Sequence, residues 1–191
     1  MRKPAVFIDR DGTINEQMGY INHINRFVLL PGTAEAIKTL NRHDFLAIVL
    51  SNQSGVARGY FPVDLVDKIH TYMKELLQKN GAVMDGIYFC PHHAHGVVPE
   101  FSIACDCRKP GTGMIEMARE NFDIDMTHSY VVGDRCSDID MAHRSNLKGI
   151  LVTTGYGLGE LDFVLPGSPN KPVHIAKDLL HAVNWIIKDC S

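Results

Sequence analysis

The chain lacks several features that would otherwise decide its class. No apolar run approaches the ~18 residues of a membrane-spanning helix, so no membrane span is expected. There is no basic excess. Its 19 Lys and Arg stand against 22 Asp and Glu, a net charge of −3, and its pI is about 6.3. Nucleic-acid-binding domains usually carry a basic stripe and a pI above ~9, so no nucleic-acid partner is expected. The opening MRKPAVFID has two basic residues but only a short apolar run before Asp9. That is less than the roughly 7–15 residues of a secretory leader, and a cytoplasmic location is expected. Five cysteines, an odd number, point away from a disulfide framework in a reducing compartment. There is no internal repeat and no low-complexity tract. What remains is an ordinary composition, 45% hydrophobic and 21% charged over 191 residues. That suits one domain, residues 1–191, with a sizeable core.

Apolar strand-like runs alternate with segments of helical period. The runs AVFID (5–9), FLAIVLSN (45–52), GIYFC (86–90), SYVVGD (129–134) and GILVTT (149–154) read as strands, followed by a short VHIA. Between them, TAEAIKTLNR (33–42) reads as a helix capped by Thr33, and SDIDMAHRSN (137–146) as one capped by Ser137. A segment from Pro62 to Gly81 carries Val66, Ile69, Met73, Leu76 and Leu77 at helical spacing. GMIEMAREN (113–121) and DLLHAVNWIIK (178–188) are further helices, whereas residues 91–112 show no period. Alternation of this kind, with near-continuous apolar strands, predicts a three-layer α/β fold: a Rossmann-like parallel sheet with helices on both faces. No insertion between residues 15 and 30 is large enough for a cap domain, so a capless, open site is expected.

Ligands of such sheets bind beyond the carboxyl ends of the strands. Those ends carry Asp9 and Asp11, Ser51 and Asn52, Cys90, and Gly133 and Asp134. Two carboxylates at one strand tip repel unless a cation lies near them. If strands 1 and 4 are neighbours, Asp9, Asp11 and Asp134 meet in a hard, oxygen-rich site suited to Mg²⁺. A second cluster lies in CPHHAHGVVPEFSIACDCRKP (90–110). Cys90, His92, Cys105 and Cys107 form a Cys₃His set fit for tetrahedral Zn²⁺, with His93 or His95 as substitutes for His92. Such a zinc staple would order an aperiodic loop just before Arg108 and Lys109. Cys136 and Cys190 read as ordinary structural thiols.

DRDGT (9–13) resembles the first signature of the haloacid-dehalogenase-type (HAD) phosphatases. Ser51 at the second strand end, Lys109 after the third and GDRCSD (133–138) after the fourth match the other signatures in chain order. The resemblance implies that Asp9 is the nucleophile and Asp11 the general acid and base. Asp9, the main-chain carbonyl of Asp11, Asp134 and the main chain of Arg135 would hold Mg²⁺, with Asp138 supporting. Ser51, Arg108 and Lys109 would neutralise the phosphoryl group. Relatives often carry Lys where this chain has Arg135, a fork in place of a point charge. The zinc loop followed by CRKP, with GYI (19–21), SNQSGVARG (51–59) and DGIYFCPHH (85–93), is similar to the branch acting on heptose 1,7-bisphosphates. Removal of the C7 phosphate would yield heptose 1-phosphate for nucleotide-activated heptose, used in lipopolysaccharide core or related glycans. In that branch Gln17, Met18, Gly19, Tyr20, Ser51, Asn52, Gln53, Ser54, Arg108 and Lys109 would contact substrate. Arg58 is added here for the second phosphate, because charge-assisted bonds are the strongest handle in an open site. A monomer is expected. Histidinol phosphate is the alternative substrate. A polynucleotide 3′-phosphatase would need a basic groove, and a non-enzymatic phospho-acceptor or zinc-binding module would not need this whole set.

Overall fold

The computed structural model describes residues 2–190. In chain order the regular elements are β1 (Ala5–Ile8), α1 (Thr33–Arg42), β2 (Leu46–Asn52), α2 (Val63–Lys79), β3 (Gly86–Cys90), α3 (Gly113–Asn121) and β4 (Tyr130–Gly133). They continue with α4 (Cys136–Arg144), β5 (Lys148–Val152), a one-turn α5 (Gly157–Gly159), β6 (His174–Ala176) and α6 (Leu179–Asp189). The six strands form one sheet in the order β3-β2-β1-β4-β5-β6, and every pairing is parallel. The expected α/β architecture is therefore present, with the short VHIA run added as an edge strand.

Successive side chains of a strand point to opposite faces, and here each face is covered. Val6 and Ile8 of β1, Ala47 and Val49 of β2, and Val132 of β4 pack with Ile37 and Leu40 of α1, Ile69, Met73 and Leu77 of α2, and Val183 and Ile186 of α6. Ala5 and Phe7, with Ile48, Leu50 and Val131, pack on Met114, Ile115 and Ala118 of α3 and Met141 of α4. Burying each such large apolar side chain contributes about 1.5–3 kcal/mol. The apolar stripe of α2 is interrupted by one polar residue, His70, which is also buried.

Two helix starts differ from expectation. Gly32, at φ 80°, takes the N-cap of α1, and the Thr33 hydroxyl instead donates to the carbonyl of Ile14 at 3.0 Å. In α4 the N-cap is Arg135, two residues earlier than Ser137 reads. Its amide donates to the Asp138 carboxylate at 3.2 Å, the reach-back half of a capping box, in which the N3 acid accepts from the N-cap amide. The segment between β1 and α1 holds a single 3-10 turn, Ile24–Arg26. Residues 156–168, aperiodic in sequence, wind through α5, a π-helical turn (Glu160–Val164) and a 3-10 turn (Leu165–Gly167).

Candidate active site

Ile8 of β1 lies level with Val49 of β2 and Val132 of β4, and the Asp9 amide donates to the Val132 carbonyl at 2.8 Å. The chain leaving β1 thus emerges between the tips of β2 and β4, where the strand order reverses and a crevice opens. Asp9 comes to rest beside Asp134.

Lys109 organises the Asp9 side. Its buried Nζ pairs with Asp9 Oδ1 and with Asp138 Oδ1 at 2.6 Å, and donates to the Leu50 carbonyl at 2.9 Å. Its backbone is gripped at two points by the Asn52 amide: Lys109 N donates to Oδ1 at 3.0 Å, and Nδ2 donates to the Lys109 carbonyl at 3.2 Å. Burial opposes the Lys109 charge, but Asp138 and Asp9 outweigh it and hold the ammonium well above the usual lysine range. Carboxylate oxygens of Asp9, Asp134 and Asp138 lie within 4.8 Å of one another. Three carboxylates face one ammonium, which leaves two negative charges uncompensated. Burial, with help from Asp138 and against Lys109, pushes Asp9 up to about 7. Burial, with Asp9 and Asp138 beside it, pushes Asp134 up to about 8. Asp134 Oδ2 accepts from the Tyr156 amide at 2.8 Å, while the buried Oδ1 has no hydrogen-bond partner. The donor set and its charge fit a hard divalent cation. Gly12 (φ 94°) and Gly155 (φ 56°) close round Asp134. A β-carbon on either would fall within 2.2 Å of Asp134 Oδ2, so both positions require glycine.

The Asp11 carboxylate lies outside this acid cluster, against Arg10, and still lines the cleft. Arg10 Nη2 donates to both of its oxygens, at 2.9 and 2.7 Å, with Nε at 3.3 Å. Asn15 Nδ2 adds 3.0 Å to Oδ1 and Gln53 Nε2 adds 2.7 Å to Oδ2. Burial raises the Asp11 carboxyl, but Arg10 and these amides outweigh it and hold it below the usual carboxylate range. The expectation that the side chains of Asp9, Asp11 and Asp134 converge is therefore corrected. Asp138 takes the third place, and each member of the β1 pair has its own cation. The Asp11 carbonyl accepts a 3.4 Å bond from Gln17 Nε2, a cleft-lining side chain.

A cleft of about 400 Å³ opens above, lined by Asp9, Asp11 and Lys109 at its floor and by Gln17, Gly19, Tyr20, Asn52, Ser54, Arg58 and Arg108 on one side. Arg135, Ser137 and Tyr156 complete the wall, with the Arg135 guanidinium 4.0 Å over the Tyr156 ring. Arg58 Nη2 donates to His93 Nε2 at 2.9 Å and Arg108 Nη1 to the His92 carbonyl at 3.4 Å. Among the described residues, Arg58, Arg108 and Arg135 form no ion pair with a carboxylate. Three sequence-predicted contacts lie off the cleft. Met18 packs on the core. Gln53 is buried against Asp11 and Ser51. Ser51 is buried too, and accepts from Gln53 at 2.8 Å, which leaves its own proton to donate.

The Cys/His cluster is assembled as the spacing suggests. Cys90 Sγ lies 3.4 Å from Cys105 Sγ, which is 3.2 Å from Cys107 Sγ. His92 Nδ1 lies 3.3 Å from Cys107 Sγ and 3.8 Å from Cys90 Sγ. Tetrahedral Zn–S and Zn–N bonds of about 2.3 and 2.0 Å put ligand atoms roughly 3.5–3.8 Å apart; the separations here, 3.2–3.8 Å, are slightly tighter, and a small expansion of the set would admit the ion. His93 does not substitute for His92: its Nε2 meets Arg58 and its Nδ1 accepts from the His95 amide at 3.1 Å. The rest of the loop hangs on Ala57, whose carbonyl accepts from Val97 and Val98 at 2.7 and 3.0 Å.

Arg10, Asn15 and His70 carry roles that sequence reading missed. For His70 a signal existed: a polar residue on the buried stripe of an amphipathic helix.

An aspartate pair at the central strand tip, a buried lysine bridging to an acid in the first turn of α4, and an acid set charged for a divalent cation define a HAD-type hydrolase. Residues 106–182 match the family model described as HAD-hydrolase-like. The chain belongs, more closely, to the D-glycero-D-manno-heptose-1,7-bisphosphate 7-phosphatase family. It is 43% identical to the protein of that name from Thermosynechococcus vestitus, over 97% of this chain and 96% of that one. It is also 43% identical to the D-glycero-beta-D-manno-heptose-1,7-bisphosphate 7-phosphatase of Escherichia coli, over 80% of each. The D,D-heptose 1,7-bisphosphate phosphatase of B. bronchiseptica, solved with magnesium and phosphate, superposes with a TM-score of 0.85 at 29% identity, covering 97% of this chain and 99% of that one.

Proposed function

We propose that this chain, as a single capless domain, is a Mg²⁺-dependent phosphatase. In this reading it removes the C7 phosphate of D-glycero-D-manno-heptose 1,7-bisphosphate and leaves the C1 phosphate in place. One observation carries the reading: a cleft with a nucleophile-and-cation floor whose rim holds three guanidinium groups without carboxylate partners. One phosphate occupies the floor, and the rim has cationic groups for a second. The C7 phosphate is a primary ester on an extended arm and can reach the floor, whereas the anomeric phosphate is attached directly to the ring.

Asp9 attacks phosphorus in line with the C7 oxygen. The P–O ester bond breaks as Asp11, carrying a proton taken up against the pull of Arg10, delivers it to the departing oxygen, leaving phosphate on Asp9. Asp11 then takes a proton from water, the water oxygen bonds to phosphorus, and the bond to Asp9 breaks, restoring the carboxylate. Lys109 balances charge on the phosphoryl oxygens, with the Ser51 hydroxyl as a neutral donor from beneath the cleft floor. Asp9, Asp134 and the main chains of Asp11 and Arg135 would hold Mg²⁺, which supplies the neutralisation that lets a carboxylate approach a phosphate anion. Asp138 supports through Lys109. Cys90, His92, Cys105 and Cys107 would hold Zn²⁺ in a closed structural site, which would fix the approach of Arg108 and Lys109.

The test is kcat/KM, with Mg²⁺, for heptose 1,7-bisphosphate, heptose 7-phosphate and histidinol phosphate. The bisphosphate is expected to be best, with heptose 1-phosphate as product. A preference for histidinol phosphate would overturn the substrate while leaving the phosphatase.

A further inference from the structure

Behind Asp11 runs a buried polar chain that the steps above do not use. His70, on the core face of α2, places Nε2 3.1 Å from Arg10 Nη1. A guanidinium only donates, so Nε2 accepts and the ring proton sits on Nδ1. Burial, with Arg10 beside it, pushes His70 down to about 3; the ring is a permanent neutral acceptor rather than a switch. The Phe89 ring meets the His70 ring edge-on at 5.4 Å between centroids. Arg10 is itself fully buried, with 1% of its surface exposed. Its other edge grips both Asp11 oxygens, and Asn15 and Gln53 complete the cradle.

A side chain gripping its own sequence neighbour does not by itself fix a direction, because both move with the same turn. The far end of Arg10 is anchored 60 residues away, to a helix locked in the core. We infer that Arg10 and His70 are positioning residues for proton transfer: His70 fixes the guanidinium, and the guanidinium fixes the rotation of the Asp11 carboxylate towards the ester oxygen. The inference rests on the reading of Asp11 as acid and base.

The leaving group separates this role from a merely structural one. A sugar alkoxide departs only with a proton, whereas p-nitrophenolate departs without one. The ratio kcat/KM covers steps through the first departure and does not include hydrolysis of the phosphorylated Asp9. In His70→Asn the side-chain oxygen falls a bond short of the Nε2 position; in His70→Gln it reaches it. His70→Asn is expected to lower kcat/KM for heptose 1,7-bisphosphate about 10- to 100-fold, part of the 10²–10⁴ that general acid–base catalysis supplies. For p-nitrophenyl phosphate the change should stay below about threefold, and His70→Gln should restore both substrates to that margin of the parent. Arg10→Lys, which cannot hold Asp11 and His70 together, should repeat the selective loss and serves if His70→Asn does not fold. Equal losses on the two esters, or no loss in His70→Asn, overturn the inference. An Asp11→Asn variant without the same selectivity would instead overturn the role of Asp11 itself, so the two failures are distinguishable.

Discussion

The Asp9 side of the cleft and the Asp11 side lie two residues apart in the chain and handle the same functional group in opposite ways. Around Asp9, three buried carboxylates share one ammonium, and burial pushes Asp9 and Asp134 up to about 7 and 8. Around Asp11, one carboxylate has one guanidinium and two amides to itself and is held low. The first half is short of positive charge and suits a cation brought from outside. The second is complete from the chain's own residues. Identity of side chain therefore says little about role at this strand tip; the neighbours that the fold delivers decide it.

The sharpest way to break this comparison is Asp9→Asn. The amide keeps the shape but is a far poorer nucleophile, and turnover should fall by roughly 10³-fold or more with the fold intact. Activity within tenfold of the parent, measured by phosphate release, would remove Asp9 as nucleophile. Next comes Lys109→Met, which strips the Asp9 side of its only ammonium. Breaking a buried pair typically costs about 3–5 kcal/mol, and urea unfolding in chelator should show a loss on that scale, partly recovered by added Mg²⁺. If Mg²⁺ recovers nothing, the surplus negative charge does not act as the cation site.

A smaller effect is expected from Cys105→Ser. One zinc per parent chain should fall to well below one by elemental analysis, and activity should drop roughly tenfold as Arg108 and Lys109 lose their placement, a loss of the size that disturbed outer-shell support causes. Zinc absent from the parent would refute the staple. The last test concerns the Asp11 side. His70 stays neutral when folded down to about pH 3, while in the unfolded chain it takes a proton near 6.5. The charged groups facing it are Arg10, Asp11 and Lys74. Below pH 6.5 the unfolded state thus binds more protons, so this contribution to stability is full above that pH and is lost as pH falls. Between pH 6 and 4 the parent should lose up to about 1.4 kcal/mol per pH unit more than His70→Gln does. Equal slopes would mean that His70 is charged in the fold and cannot accept from Arg10.

Much of this protein was legible in the chain alone, for physical reasons that act over short range. A buried strand needs an unbroken apolar run, as Ala5–Ile8 supplies, and an amphipathic helix needs Val66, Ile69, Met73 and Leu77 at its own period. Alternation of the two dictated a parallel sheet, and chemistry at the strand ends marked the cleft. The Cys/His pairs signalled a four-residue cluster, and the fold assembles it. Which carboxylate joins which cation was not legible. Asp9 meets a lysine 100 residues on, and Arg10 meets a histidine 60 residues on. Asn52, which lines the cleft as expected, also holds the Lys109 backbone 57 residues away. Such partners are chosen by strand order and register, which place the tips of β1, β2 and β4 together and turn one face of α2 beneath them. Periodicity says that a residue is buried; only the packed layers say against what, and the protonation and direction of each acid in this site follow from that.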